Sequence, residues 1–106
     1  MGKATLEVFI TASAREDLDA IWCYWAHRDE PERGEKYATD LHAEAVSELS
    51  NPQVAKGGKI LRDIEPPVRE IRVFRRVYRI LYRLHETANR VDVLRFWHSH
   101  RDEPAV

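Results

Sequence analysis

The sequence predicts an α+β fold: a helical hairpin packed on a small antiparallel sheet, in the order β-α-α-β-β-β. Three observations lead there. Residues 5–10 place Leu6, Val8 and Ile10 on one side of a short extended segment. Residues 14–49 carry two apolar stripes at helical spacing. Residues 69–102 hold three runs rich in Val, Ile, Leu, Tyr, Phe and Trp, separated by short polar breaks, as in a meander.

The first strand, Thr5 to Ile10, cannot form a sheet alone and must pair with the later meander. A helix follows. Ser13 and Glu16 fit a capping box, with Thr11 as a competing cap. Ala14, Leu18, Ile21, Trp22 and Trp25 form its apolar stripe, so both tryptophans are expected in the core. Glu16, Asp17 and Asp19 suit the positive end of the helix dipole. Cys23 reads as a small core residue.

His27 to Glu30 breaks this helix, and Pro31 suits an early position of the next. Gly34, Ala38, Leu41, Ala45 and Leu49 recur at threes and fours. The small residues among them let the second helix lie close to the first, antiparallel. Asn51-Pro52 ends it, and His42 is expected to face solvent. Residues 52–68, with Gly57-Gly58 and Pro66-Pro67, read as a long irregular loop. Gly57-Gly58-Lys59 lacks the spacing of a P-loop.

In the meander, alternation places Tyr78, Ile80, Tyr82 and Leu84 on one face and Arg79, Leu81 and Arg83 on the other. The same rule puts Leu94 with Phe96, and Val91 and Val93 with Trp97. The last strand is therefore expected to be covered on both faces. Arg75-Arg76 is a poor pair for a two-residue hairpin turn, which favours Gly or Asn, so a longer or bulged turn is expected.

At 106 residues the chain is expected to be one domain, residues 1–106. No apolar run approaches the ~20 residues of a spanning helix. No basic-then-apolar leader is visible, and a single cysteine fits a reducing compartment. These features point to the cytoplasm, with no membrane association. The net charge of −1 hides a split: residues 1–51 carry −6 and residues 52–106 carry +5. Nine arginines lie between Arg69 and Arg101, against Glu70, Glu86 and Asp92. Such a field attracts an anionic partner, or the two halves neutralise each other within the fold. No residue set suggests a metal site or a cofactor.

Four motifs then carry a resemblance. Thr11-x-x-Ala14-x-x-Asp17-Leu18-x-x-Ile21-x-x-Tyr24 resembles the opening helix of RelE/ParE-type toxins of bacterial type II toxin–antitoxin modules. Leu49-x-Asn51-Pro52 and Tyr78-Arg79-Ile80-Leu81-Tyr82 are similar to later family segments. His98-x-x-Arg101-Asp102 looks especially like the ParE branch. The resemblance covers nearly the whole chain and implies the RelE/ParE-like fold. It also implies a ParD- or RelB-like antitoxin as partner, with operator DNA bound only through the antitoxin complex.

The family divides into ribosome-dependent mRNA endonucleases and ParE-like inhibitors of DNA gyrase. RNA cleavage needs a base, cations for the phosphorane and an acid. Aligned through Tyr78-Arg79, the two strand lysines of RelE fall on Glu70 and Arg72. Glu70 reverses the charge, and Arg72 is a poor base because guanidinium stays protonated. Arg79 and Arg101 match family arginines, and no tyrosine follows. His98 is open to structural, interaction-surface and catalytic readings.

No catalytic residue is therefore assigned. A ribonuclease would have to use Arg72, Arg79, His98 and Arg101. A target- or phosphate-binding set would be Arg72, Arg79, Arg83, His98 and Arg101. Leu18, Trp22, Trp25, Leu41 and Arg79 are the expected antitoxin contacts. The leading expectation is a non-enzymatic ParE-like gyrase inhibitor; the alternatives are a RelE-like mRNA endonuclease and a non-toxic antitoxin-binding protein.

Overall fold

The computed structural model describes residues 5–99. Strand β1 (Glu7–Ile10) is followed by helices α1 (Ala12–Ala26), α2 (Pro31–Leu49) and α3 (Pro52–Gly57). Strands β2 (Lys59–Arg62), β3 (Val68–Val73), β4 (Tyr78–His85) and β5 (Arg90–His98) complete one sheet, ordered β1-β5-β4-β3-β2. The expected β-α-α-β-β-β order is present, with α3 and β2 added inside the segment read as a loop. Asn51 does not simply end α2; its side chain accepts from Gln53 N–H and caps α3. No described helix is long and apolar enough to cross a membrane.

Helix α1 is capped by Thr11, whose side chain accepts from Ala14 N–H, and not by the Ser13 capping box. The tertiary partner decides between them. Thr11 Oγ1 also donates to Val93 C=O at 2.7 Å, tying the helix start to β5, a bond that Ser13 does not make. Pro31 opens α2 as expected. Gly34 sits where the two helices meet. A Cβ there would lie 2.9 Å from Trp22 C=O and 3.0 Å from Trp25 Cβ, so the close crossing requires glycine.

The core lies between this hairpin and one face of the sheet. Ala14, Leu41, Ala45 and Leu49 meet Ile80, Tyr82, Leu84, Val91, Val93 and Phe96. Tyr82 donates from its hydroxyl to Ala55 C=O at 2.7 Å, anchoring α3 to the sheet. The hydroxyl passes over Gly58, where an added Cβ would come within 2.0 Å of it. Two expectations about α1 are corrected. Trp22 is 44% exposed, and Cys23 is exposed, because both point away from the α1–sheet interface.

Strand β5 departs from simple alternation. Leu81 pairs with Arg95 while Tyr82 pairs with Val93, leaving Leu94 as the extra residue of a β-bulge. The bulge swaps faces halfway along the strand. Val91, Val93 and Phe96 all join the core, and Trp97 turns to the opposite face. The strand is thus covered in part on both faces, as expected, but Phe96 joins Val91 and Val93 while Trp97 is buried on the far side. Strand β1 pairs in parallel with Arg90–Val93 only. Beyond that point Asp17 of α1 takes over: its Oδ2 accepts from Phe96 N–H at 2.9 Å, and its carboxylate takes a bidentate fork from Arg95 at 2.8 and 2.9 Å.

The β3–β4 connection is longer than a two-residue turn, as expected. Val73 and Tyr78 form the last pair, and within residues 74–77 Val77 N–H donates to Phe74 C=O at 3.1 Å around Arg75-Arg76. Phe74, Arg75 and Arg76 have φ of 52°, 56° and 70°. The two arginines occupy the positive-φ positions of a type I′-like turn, which Asn and Gly normally fill. Asp29 and Asn89, the other positive-φ residues, are types that tolerate this region. Phe and Arg do not, so the turn stores roughly 1 kcal/mol or more per residue.

Two outcomes test this packing. Asp17→Ala should lower unfolding stability by about 2–3 kcal/mol in urea titration, because it strips a charged partner and a backbone acceptor together; a loss under ~0.5 kcal/mol contradicts the role given to Asp17. Burial pushes the Tyr82 phenol up to about 12. The folded state holds this proton more tightly than the unfolded chain, so the contribution is complete below pH ~10 and lost as pH rises toward 12. Tyr82→Phe should lose less stability than the wild type over that interval; equal losses would show that Tyr82 is not the responsible group.

Candidate functional site

The expected cationic residues divide between two faces. Strand register puts Arg72, Arg79 and Arg83 on the face away from the helices, with Trp97 opposite Arg79. His98 pairs with Tyr78 on the helix face. Arg101, His100 and Asp102 lie outside the described residues. Of the residues that a ribonuclease would need, the three described ones are split, with Arg72 and Arg79 on one face and His98 on the other.

On the open face the decisive residue is Glu70. It is 4% exposed, and Arg79 beside it is 5% exposed. Arg79 Nε donates directly to Glu70 Oε1, and Arg72 Nε lies 3.4 Å from Oε2. One carboxylate is shared by two guanidiniums. A buried ion pair of this kind holds only while both partners stay in place, because either charge alone is strongly disfavoured there. The Arg79 guanidinium is thus paired within the chain. Arg95 adds to the same face, with its guanidinium carbon 4.8 Å from the Trp97 ring centre.

The far end of this face holds Arg83, His85, Arg90 and Asp92. His85 Nε2 and Arg90 Nε each lie 3.0 Å from the Asp92 carboxylate. Arg83 Nε is buried with no hydrogen-bond partner among the described residues. His85 is six residues from Arg79 along β4, about 20 Å at ordinary strand rise. It cannot exchange a proton with a group held by Arg79.

The helix face ends in a groove of about 670 Å³ between the helical hairpin and the β3–β4 turn. Tyr24, Trp25 and Tyr37 form one wall; Phe74, Val77, Tyr78, Phe96 and His98 form the other. Trp25 packs edge-on against Tyr24 and Tyr37, with ring centres 5.2 and 5.5 Å away. Tyr78 and His98 meet at 5.2 Å. Asp17, held by Arg95, and Asp40, paired with Lys36, also line it. Burial raises the Tyr78 pKa, helped by the nearby Tyr37 phenol, so Tyr78 is a hydrogen-bond donor at neutral pH and not a base. An apolar cleft with aromatic walls suits binding better than proton transfer.

Of the expected antitoxin contacts, Trp25 lines this groove and Trp22 lies exposed. Leu18 packs partly buried against the core. Leu41 is 1% exposed and offers no surface, because it sits at the centre of the α2 stripe. Arg79 is buried on the opposite face. The groove residues that sequence reasoning missed are Tyr24, Tyr37, Phe74 and Val77. Tyr24 and Tyr37 each sit one place off an apolar stripe, and Phe74 and Val77 flank the turn. Large apolar residues just outside a core pattern were the available signal.

The fold is similar to solved toxin–antitoxin structures. The chromosomal ParDE system from P. aeruginosa aligns at a TM-score of 0.70 and 20% identity, covering 91% of this chain and 98% of that one. The RelBE2 toxin–antitoxin complex from Mycobacterium tuberculosis aligns at 0.67 and 25% identity, covering 94% and 98%. These likenesses span both branches and show the shared fold. No curated protein sequence matches the chain significantly. Residues 8–103 match the family model described as the ParE toxin of the type II toxin–antitoxin system parDE. The chain therefore belongs to the ParE toxin family, within the RelE/ParE superfamily, and is the toxin component of a module whose other half is a cognate antitoxin.

Proposed function

We propose that this chain is a single cytoplasmic toxin domain that inhibits DNA gyrase without cutting RNA. We further propose that its antitoxin silences it by laying an amphipathic helix in the aromatic groove. The observation that carries the first part is Glu70 between Arg72 and Arg79, with His98 on the other side of the sheet. Phosphoryl-transfer chemistry needs free cations and a proton carrier around one phosphate. Here a carboxylate of the chain itself holds the central cation, and the nearest described imidazole on that face is about 20 Å along the strand.

The groove supports the second part. Helix-in-groove recognition places two or three apolar anchors, one turn apart, in a cleft with aromatic walls. Trp25 at its centre is the residue type most often found at energetic hot spots. Arg33 stacks over the Trp25 ring at 5.0 Å and Arg28 over Tyr24 at 3.7 Å, so two guanidiniums sit beside the aromatic wall on the hairpin side, where they suit an acidic helix flank.

Two measurements decide these readings. Purified toxin should block supercoiling by gyrase, leave mRNA intact on translating ribosomes in a toeprinting assay, and lose its effect when antitoxin is added; new mRNA ends with normal supercoiling would establish the ribosome as target. Tyr37→Ala should weaken antitoxin binding by roughly 5- to 30-fold in calorimetry, with little change in melting temperature. An unchanged Kd would place the antitoxin elsewhere.

A further inference from the structure

The β3–β4 turn is strained, exposed and stapled at once. Phe74, Arg75 and Arg76 are three consecutive non-glycine residues at positive φ. Phe74 is 41% and Val77 38% exposed, and both arginines are exposed. No carboxylate among the described residues pairs with Arg75 or Arg76. The turn is nevertheless held in shape. Ser99 N–H donates to Val77 C=O at 2.7 Å, and Ser99 Oγ donates to Arg76 C=O. A hairpin tip chosen for stability would carry Asn-Gly. This one keeps two permanently charged forks between two apolar side chains, where no described residue pairs with them.

We propose that Phe74–Val77 is a pre-shaped docking tip that seats in an acidic, apolar-floored recess on the toxin's protein target. This rests on reading the chain as a toxin that acts by binding a protein. The two guanidiniums supply bidentate recognition of carboxylates, and Phe74 and Val77 supply the apolar contact. The strain and the Ser99 staple mean that little ordering remains to be done on binding. The same residues explain silencing: Phe74 and Val77 form part of the groove wall, so a helix in the groove covers the tip. A protein partner fits better than a duplex. Two cations form a small footprint for phosphates, and the surface beside them is the aromatic groove, which suits a protein side chain better than a nucleic acid backbone.

The test is Arg75→Asn/Arg76→Gly, which installs the preferred turn pair and removes both charges. Lys59→Ala/Arg62→Ala, on β2, controls for the change in net charge. In a host whose growth the wild-type chain arrests, the turn variant should need at least about tenfold more toxin for arrest. Its melting temperature should rise, and it should still be captured by the antitoxin; the β2 variant should arrest growth like the wild type. Full arrest by the turn variant, or a lowered melting temperature, overturns the proposal. So does wild-type binding to a short linear DNA duplex that the turn variant has lost, because the tip would then read nucleic acid. Growth arrest does not depend on which target is hit. Normal supercoiling with the wild-type chain, combined with lost arrest in the turn variant, would reject the gyrase reading and leave the tip standing.

Discussion

The start of α1 clamps the bulge in β5, and the two faces of the molecule depend on that clamp. Thr11 holds Val93 C=O on one side of Leu94, and Asp17 holds Phe96 N–H and the Arg95 guanidinium on the other. β1 pairs with β5 no further than Val93, so this stretch of the edge has no strand partner there. An unsatisfied edge costs stability and invites association. The clamp satisfies it with a helix side chain. It also holds the extra residue in place, and that residue decides which side chains face inward. Above the bulge, Phe96 and His98 look toward the groove and Trp97 toward the open face.

Each face then does one thing. The open face looks strongly basic in sequence but is largely neutralised in place: Glu70 takes Arg72 and Arg79, Asp92 takes Arg90 and His85, and Asp17 takes Arg95. Such partners offset the cost of bringing several guanidiniums together in one sheet. The helix face is the reverse, built largely from aromatic surface. A surface of this kind gains free energy by being covered, which is what a toxin kept in check by a partner requires.

Much of this was legible from residue order. The helix stripes, the Pro31 start, the close approach at Gly34 and the inward Tyr78-Ile80-Tyr82-Leu84 row follow from local periodicity and size, which short-range sterics enforce. The misreadings share one cause. Thr11 won over Ser13 because it also reaches β5. The faces of β5 changed because one bulge reverses every later position. Residues 52–68 ordered into α3 and β2 because Tyr82 and Gly58 gave them something to pack on. In each case a contact between distant parts of the chain overrode a local preference.

The sequence by itself determined the β-α-α-β-β-β order of the main elements and the family, since these depend only on which residues stand where. Tertiary structure alone decided that Arg79 is spent on Glu70, that His98 lies across the sheet from it, and that Phe74, Arg75 and Arg76 turn the chain at positive φ. Alternation along one strand says nothing about the partner strand, and a carboxylate nine residues away becomes a neighbour only once β3 and β4 pair.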